Sequence, residues 1–281
     1  MSFHAKSDRV ISRALSLWRE VYEPAGIVPT VRQYFYALAV EELVPKNQQG
    51  YDKVQRLLAA AREKGAFPWE AVYDALRQIR RPNVWNGLAD FFETVYDAYR
   101  LDKWQFQPRR VEVWIEKDAV RGTVERVTDG LQVPLLCDRG YLSVSAKKEA
   151  SRRILRGKMT ILYIGDFDPS GINMLEEAEE WVRADGAGDL IVERIAIDEK
   201  DYQEPKVPHL PVNRKDARAT EFIERYGDEV VEVEALPPKV LQERLRSSLH
   251  RHMDLKAWKK ANEREKREIQ DIHNRLTMTP P

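Results

Sequence analysis

Asp166 and Asp168 stand two positions apart in the stretch Ile164-Gly-Asp-Phe-Asp-Pro-Ser-Gly171, directly after the apolar run Met159-Thr-Ile-Leu-Tyr-Ile164. On extended backbone, residues two apart point to the same side, so the two carboxylates face one way. Glu116 closes a second apolar run, Val111-Glu-Val-Trp-Ile115, in the same fashion. In an open parallel sheet, ligands collect beyond the carboxyl ends of the strands. If the two runs are neighbouring strands, Glu116, Asp166 and Asp168 converge as three hard oxygen ligands, a set that suits Mg2+ and not zinc. Three uncompensated anions in one crevice repel, so a cation is their natural partner. The competing reading is a surface turn, because Asp, Pro, Ser and Gly are all turn formers. The repeat of the pattern at Glu116, immediately before Lys117-Asp118, weighs against it.

A second chemical signal lies between the two carboxylate runs. Residues 139–158 carry seven basic residues against one acidic residue. A βα topology brings Lys147, Lys148, Arg152 and Arg153 of this segment near the carboxylates, where they contact phosphate and position a duplex without reading its sequence. A solvated helix face is the alternative. Net charge is zero over 281 residues, but it divides as +3 over residues 1–115, −7 over 116–245 and +4 over 246–281. An acidic centre between basic flanks fits a divalent cation in the middle and phosphate around it.

The elements that position these residues follow from periodicity. Up to about residue 105 the apolar residues recur at three- and four-residue spacing, which predicts helices only. The first holds Val10, Leu15, Leu17, Trp18 and Tyr22 and ends at Pro24 and Gly26. Thr30 followed by Gln33 is a capping-box pattern that opens a second helix through Tyr34, Tyr36, Leu38 and Leu43, stopped by Pro45. A third runs from Tyr51 to a Gly65 cap, with Lys53, Arg56 and Arg62 on its polar side. Three short helices with a basic third suit a winged-helix or helix-turn-helix module, a pattern that many helical bundles share. From Arg110 strands alternate with helices, which predicts an α/β fold with a mostly parallel sheet covered on both faces. The division expected is a winged-helix-like unit over 1–105, a Rossmann-like metal-binding unit over 106–236 and an amphipathic helical tail over 237–281. Glu232 and Glu234 alternate as on a half-buried strand and read as surface charge, while Lys215 and Arg218 are further candidates for phosphate contact.

Composition bounds the rest. Hydrophobic residues at 43% and charged residues at 33% describe a globular chain. The single cysteine, Cys137, excludes an intramolecular disulfide framework and suits a reducing cytoplasm. No apolar run approaches the ~20 residues of a membrane-spanning helix, and Met1-Ser-Phe-His-Ala-Lys6 has no apolar signal core, so a cytoplasmic protein with no membrane partner is expected.

Trp114-Ile-Glu-Lys-Asp-Ala-Val120, Arg139-Gly-Tyr141 and Gly165-Asp-Phe-Asp-Pro-Ser-Gly171 together resemble the Toprim domain of the topoisomerase VI A subunit and of the related meiotic double-strand-break protein. Thr30-Val-Arg-Gln-Tyr-Phe-Tyr36 is similar to that family's winged-helix motif, in which an Arg precedes the DNA-attacking tyrosine by four residues. The resemblance spans roughly residues 8–240, and short stand-alone bacterial or phage homologues come nearest. It implies Tyr36 as nucleophile, forming a phosphotyrosyl bond, Arg32 as the phosphate-binding partner one turn earlier, and Mg2+ on Glu116, Asp166 and Asp168. It also implies double-stranded DNA as substrate and a homodimer, for which the tail from Leu241 is one possible interface. No Gly-x-x-x-x-Gly-Lys-Ser/Thr loop is present, so ATP-driven strand passage would need a separate ATPase subunit. Two readings stay open beside tyrosyl transesterification. One is a hydrolytic Toprim nuclease in which Tyr36 only packs; the other is a catalytically silent DNA-binding module that docks a partner.

Overall fold

Before Arg110 the described residues hold helices and turns and no strand. The computed structural model describes residues 5–73, 82–137, 144–154, 157–186, 188–204 and 206–277; Arg139-Gly-Tyr141, Arg156 and Thr279-Pro-Pro281 lie outside them. Helix α1 spans Ala5–Leu17 and runs on as a π-helical turn over Trp18–Tyr22. Helix α2, Val31–Val40, opens on the expected capping box: Thr30 Oγ1 accepts the Gln33 N–H at 3.3 Å and Gln33 Oε1 accepts the Thr30 N–H at 2.8 Å. Helix α3, Gln48–Glu63, is capped by Asn47 and followed by Gly65 at a φ of 69°. One apolar core joins the three through Val10, Trp18, Tyr34, Leu38, Val54 and Leu58. Tyr34 is fully buried there and donates its hydroxyl to the Ala71 carbonyl at 3.0 Å.

After helix α4, Leu88–Ala98, the chain enters a sheet. Strands β1 (Arg110–Ile115), β2 (Leu135–Cys137), β3 (Met159–Ile164) and β4 (Leu190–Ala196) are all parallel, in the order β2-β1-β3-β4. Helices α5 (Arg121–Thr128), α6 (Val144–Ile154) and α7 (Pro169–Ala184) make the crossovers. Alternate residues divide the sheet. Val111, Val113, Ile115, Leu162 and Ile164 share a core with α5, whereas Trp114, Ile161 and Tyr163 pack with α6 and α7. Both faces are covered, which is why these strands read as continuous apolar runs. The connections from β1 and β3 leave in opposite directions, so the gap between those two strands is the topological switch point of the sheet.

The remaining chain wraps this edge. Helix α8 (Glu199–Gln203) precedes a small hairpin of β5 (Leu210–Pro211) and β6 (Glu229–Val230), with α9 (Ala219–Tyr226) between the strands. Val231 then pairs antiparallel with Phe167, and a 3-10 turn over Val233–Ala235 follows. Helices α10 (Pro238–Arg251) and α11 (Leu255–Thr277) end the described chain. In the tail that begins near Leu241, the apolar face of α10 packs inside the chain, because Leu241, Leu245 and Leu249 are buried in the β1–α5 core. No helix among the described residues is long and apolar enough to cross a membrane.

Leu245→Ala tests that docking. Full burial of this side chain predicts a loss of ~2–5 kcal/mol in urea unfolding. A loss near zero would mean that α10 lies loosely on the sheet.

Candidate functional site

Glu116 follows β1 by one residue, and Asp166 and Asp168 follow β3 by two and four, so the parallel pairing of these strands sets all three at the switch point. Glu116 Oε2 accepts the Asp166 N–H at 2.9 Å and the Tyr163 hydroxyl at 3.4 Å. Two glycines permit this approach. A Cβ at Gly165 would stand 2.6 Å from Glu116 Oε2, and one at Gly171 would stand 2.5 Å from the Asp166 carbonyl oxygen. Asp168 N-caps α7, its Oδ1 accepting the Gly171 N–H at 2.6 Å. The loop is held from below by Arg194, whose guanidinium donates to the carbonyls of Asp166 at 2.9 Å and Gly171 at 2.8 Å and lies over the Tyr163 ring. Nothing in the local sequence singles out Arg194 for that task.

The three carboxylates do not meet at one point as expected. Asp166 is buried, with Oδ2 2.5 Å from Lys117 Nζ and Oδ1 accepting the Val233 N–H at 2.9 Å. Among the described residues no group of three His, Cys, Asp or Glu side chains is arranged to hold a metal ion. Glu116 and Asp168 remain as two carboxylates beyond the strand ends, and the charge of Asp168 acts on Glu116. Burial raises the Glu116 carboxyl above its ordinary value, the Asp166 N–H opposes that shift, and the charge of Asp168 adds to it. Asp166 is also raised by burial, against the pull of Lys117. A pair of hard oxygen donors fits Mg2+, which is commonly bound by one or two carboxylates with water and substrate phosphate completing the shell. Asp166 would act beside it through Lys117.

The helical N-terminal unit reaches this edge through α2. Arg32 and Tyr36 lie four residues apart on one helix face, opposite the buried Tyr34. Glu232 Oε2 accepts the Tyr36 hydroxyl at 2.8 Å and is also bonded by Arg32 Nη1. Arg32 Nε lies 3.9 Å from Glu234 Oε1, and its guanidinium sits over the Tyr51 ring at 4.9 Å. Lys117 Nζ, bound to Asp166, is also 3.4 Å from Glu234 and 3.7 Å from Glu232. Glu232 and Glu234 are therefore not surface charge. They come to the site because the Phe167–Val231 bridge ties their segment across the end of β3. The signal in the sequence was two acids set among apolar residues, Val231, Val233 and Leu236, all of which are buried.

This network sets the ionisation of Tyr36. Its ring is 3% exposed, and burial, followed by the Glu232 carboxylate that accepts its proton's hydrogen bond, pushes the phenol far above the ordinary tyrosine value. Burial also pushes Glu232 up, but Lys117 and Arg32 outweigh it and hold the carboxyl below the usual range. Lys117 shows the mirror image: burial lowers it, and Glu234, Asp166 and Glu232 together raise it. In this arrangement Tyr36 is a neutral hydrogen-bond donor.

Three of the basic residues expected at phosphate, Lys147, Lys148 and Arg153, are paired with acids from other elements. Lys147 is buried against Glu177, and Lys148 Nζ bonds Asp185 at 2.7 and 2.9 Å. Arg153 makes a two-pronged pair with Glu112, at 2.7 and 3.0 Å, far from the carboxyl ends of the strands because Glu112 sits early in β1. Arg152 extends outward beside Glu149 at 3.6 Å. On α3, Arg56 is exposed and donates to the Asp52 carbonyl, and Lys53 is half-exposed. Lys215 is exposed, while Arg218 folds back onto Asp216 and Ser170. No family model matches this chain, and no curated protein matches it.

Glu116 gives a pH test of the site. Its folded pKa is raised, so its contribution to stability is complete below the unfolded value of ~4.3 and is lost as pH rises through the folded value. In chelator, the stability of Glu116→Gln relative to the native chain should therefore grow from acid to neutral pH, read as the difference of urea-unfolding free energies. A difference that stays flat with pH would mean that burial does not raise the Glu116 carboxyl.

Proposed function

We propose that this chain is a Mg2+-dependent DNA-cleaving protein of the topoisomerase VI A type, a winged-helix-like unit followed by a Toprim-like unit. The observation that carries this reading is a juxtaposition across the chain. The Arg32–Tyr36 face of α2 and the Glu116–Asp166–Asp168 edge of the sheet are joined through one short segment, Glu232 to Glu234, by the Tyr36–Glu232 and Asp166–Val233 hydrogen bonds. Carboxylates at the switch point of a parallel sheet support a phosphate-handling site. An Arg and a Tyr one turn apart beside it support strand transfer to the phenol.

In this reading Glu116 and Asp168 would hold Mg2+, which would supply charge neutralisation during phosphoryl transfer. Arg32 forks onto the scissile phosphate. The Tyr36 oxygen attacks phosphorus, the bond to the 3′ ribose oxygen breaks, the phenolic proton is lost to solvent, and the leaving 3′ oxygen takes up a proton from solvent. Asp166 holds Lys117 beside the site. The expected homodimer would cut both strands, and a separate subunit would supply any ATPase activity.

A hydrolytic nuclease is the second reading, and the burial of Tyr36 against Phe35, with ring centroids 5.0 Å apart, favours it. Supercoiled plasmid, incubated with the protein and Mg2+, stopped with detergent and run with and without protease, separates the two. Transesterification predicts protein-linked ends that disappear in Tyr36→Phe and in Asp168→Asn. Free ends made equally by Tyr36→Phe, and lost in Asp168→Asn, would assign hydrolysis. Intact plasmid with the native chain would leave a DNA-binding module.

A further inference from the structure

Resting on the phosphodiester-cleaving reading above, we infer that Arg32, Lys117 and Tyr36 form a phosphodiester-binding site that Glu232 fills with its own carboxylate in the DNA-free chain. A single oxygen, Glu232 Oε2, faces all three: Arg32 Nη1 and the Tyr36 hydroxyl are hydrogen-bonded to it, the latter at 2.8 Å, and Lys117 Nζ is 3.7 Å away. Two cations and a hydroxyl converging on one oxygen are the partners that a non-bridging phosphate oxygen takes. The donors are held by supports other than Glu232. Arg32 lies over Tyr51 and near Glu234, and Lys117 is fixed by Asp166 at 2.5 Å.

Glu232 is also built to leave. Its side chain is 19% exposed, against 4% for Asp166 and 2% for Glu234, so it alone of the three acids around Lys117 opens towards solvent. Its backbone is pinned on one side by the Val231–Phe167 bridge and on the other by the Val233–Asp166 hydrogen bond. The carboxylate therefore swings out without moving the segment. A carboxylate and a phosphodiester each carry one negative charge, so the exchange leaves Arg32 and Lys117 paired throughout. Glu232 is thus a positioning residue: it keeps α2 docked and Tyr36 hydrogen-bonded until a phosphate competes for the same donors.

The test is duplex binding by the full chain without divalent cation, read by anisotropy of a fluorescein-labelled DNA duplex over a salt series. Glu232→Gln should bind about tenfold more tightly at low salt. Its log K against log salt should be steeper by the equivalent of ~1–2 phosphate contacts, and adding Arg32→Ala should remove the gain. Glu229→Gln, which neutralises an exposed acid three residues away, should leave affinity near native. An equal gain in both Gln variants would reduce the effect to net charge and overturn the inference, as would no gain in Glu232→Gln. Should Glu232→Gln fail to fold, Glu232→Asp draws the carboxylate back by one methylene and should show a smaller gain in the same direction; no gain there overturns the inference too. Tighter binding by Glu232→Gln when the native chain cuts no plasmid would sink the cleavage reading and keep the phosphate site. Plasmid cleavage by a native chain whose Glu232→Gln variant binds no tighter would do the reverse.

Discussion

The partial burial of Lys117, its side chain 29% exposed, is the constraint on which the site depends. An ammonium partly withdrawn from water needs carboxylates at close range to offset its lost hydration. The chain gathers Asp166 from the loop after β3 and Glu232 and Glu234 from the segment after β6 to meet it. Glu232 is shared with Arg32, so the same charge balance extends to α2. The helical unit and the sheet thus touch at this point through ion pairs and one phenol. Removing Lys117 leaves Asp166 and Glu234, both buried, without the cation they share, a larger penalty than the net worth of the intact network.

That network is possible because the backbone around it is tightly held. Glu116 reaches under the loop to the Asp166 N–H, which requires glycine at both 165 and 171. Asp168 is drawn into capping α7, and Arg194 ties the loop carbonyls from the next strand. The loop is over-determined, and Asp166 and Asp168 therefore diverge where plain extended backbone would have aligned them. The same feature that makes the stretch recognisable, a glycine on either side of two acids, is what separates their roles.

Strands and helices were legible because each rests on local causes. The capping box of Thr30 and Gln33, the apolar runs of β1 and β3 and the glycine after α3 need no distant partner to declare themselves. The parallel pairing of β1 and β3 follows from the alternation of strands and helices. The charged residues were another matter. Arg32 and Glu232 are 200 positions apart, and no periodicity in either segment reports the other. The basic run from 139 to 158 misled for the same reason. A count along the chain sees Lys147, Lys148 and Arg153 but not Glu177, Asp185 and Glu112, which other elements bring to neutralise them. The apolar spacing of α10 was visible, but a stripe of leucines does not say whether the surface it covers belongs to the same chain or to another.

Tyr36 joins these arguments. A phenol that attacks phosphorus must give up its proton, yet burial and the neighbouring carboxylate both favour the protonated form. Glu232 is a poor acceptor for that proton, since Lys117 and Arg32 hold its own carboxyl low. The electrostatics therefore describe a resting arrangement and not a reacting one. In the proposed exchange of Glu232 for a phosphodiester, the largest neighbouring negative charge at Tyr36 would be replaced by one whose phosphorus is the electrophile, while Arg32 and Lys117 would stay where a phenolate would need them. That exchange would leave the charge facing Arg32 and Lys117 unchanged, and its one effect at Tyr36 would be that the neighbouring anion carries an electrophile.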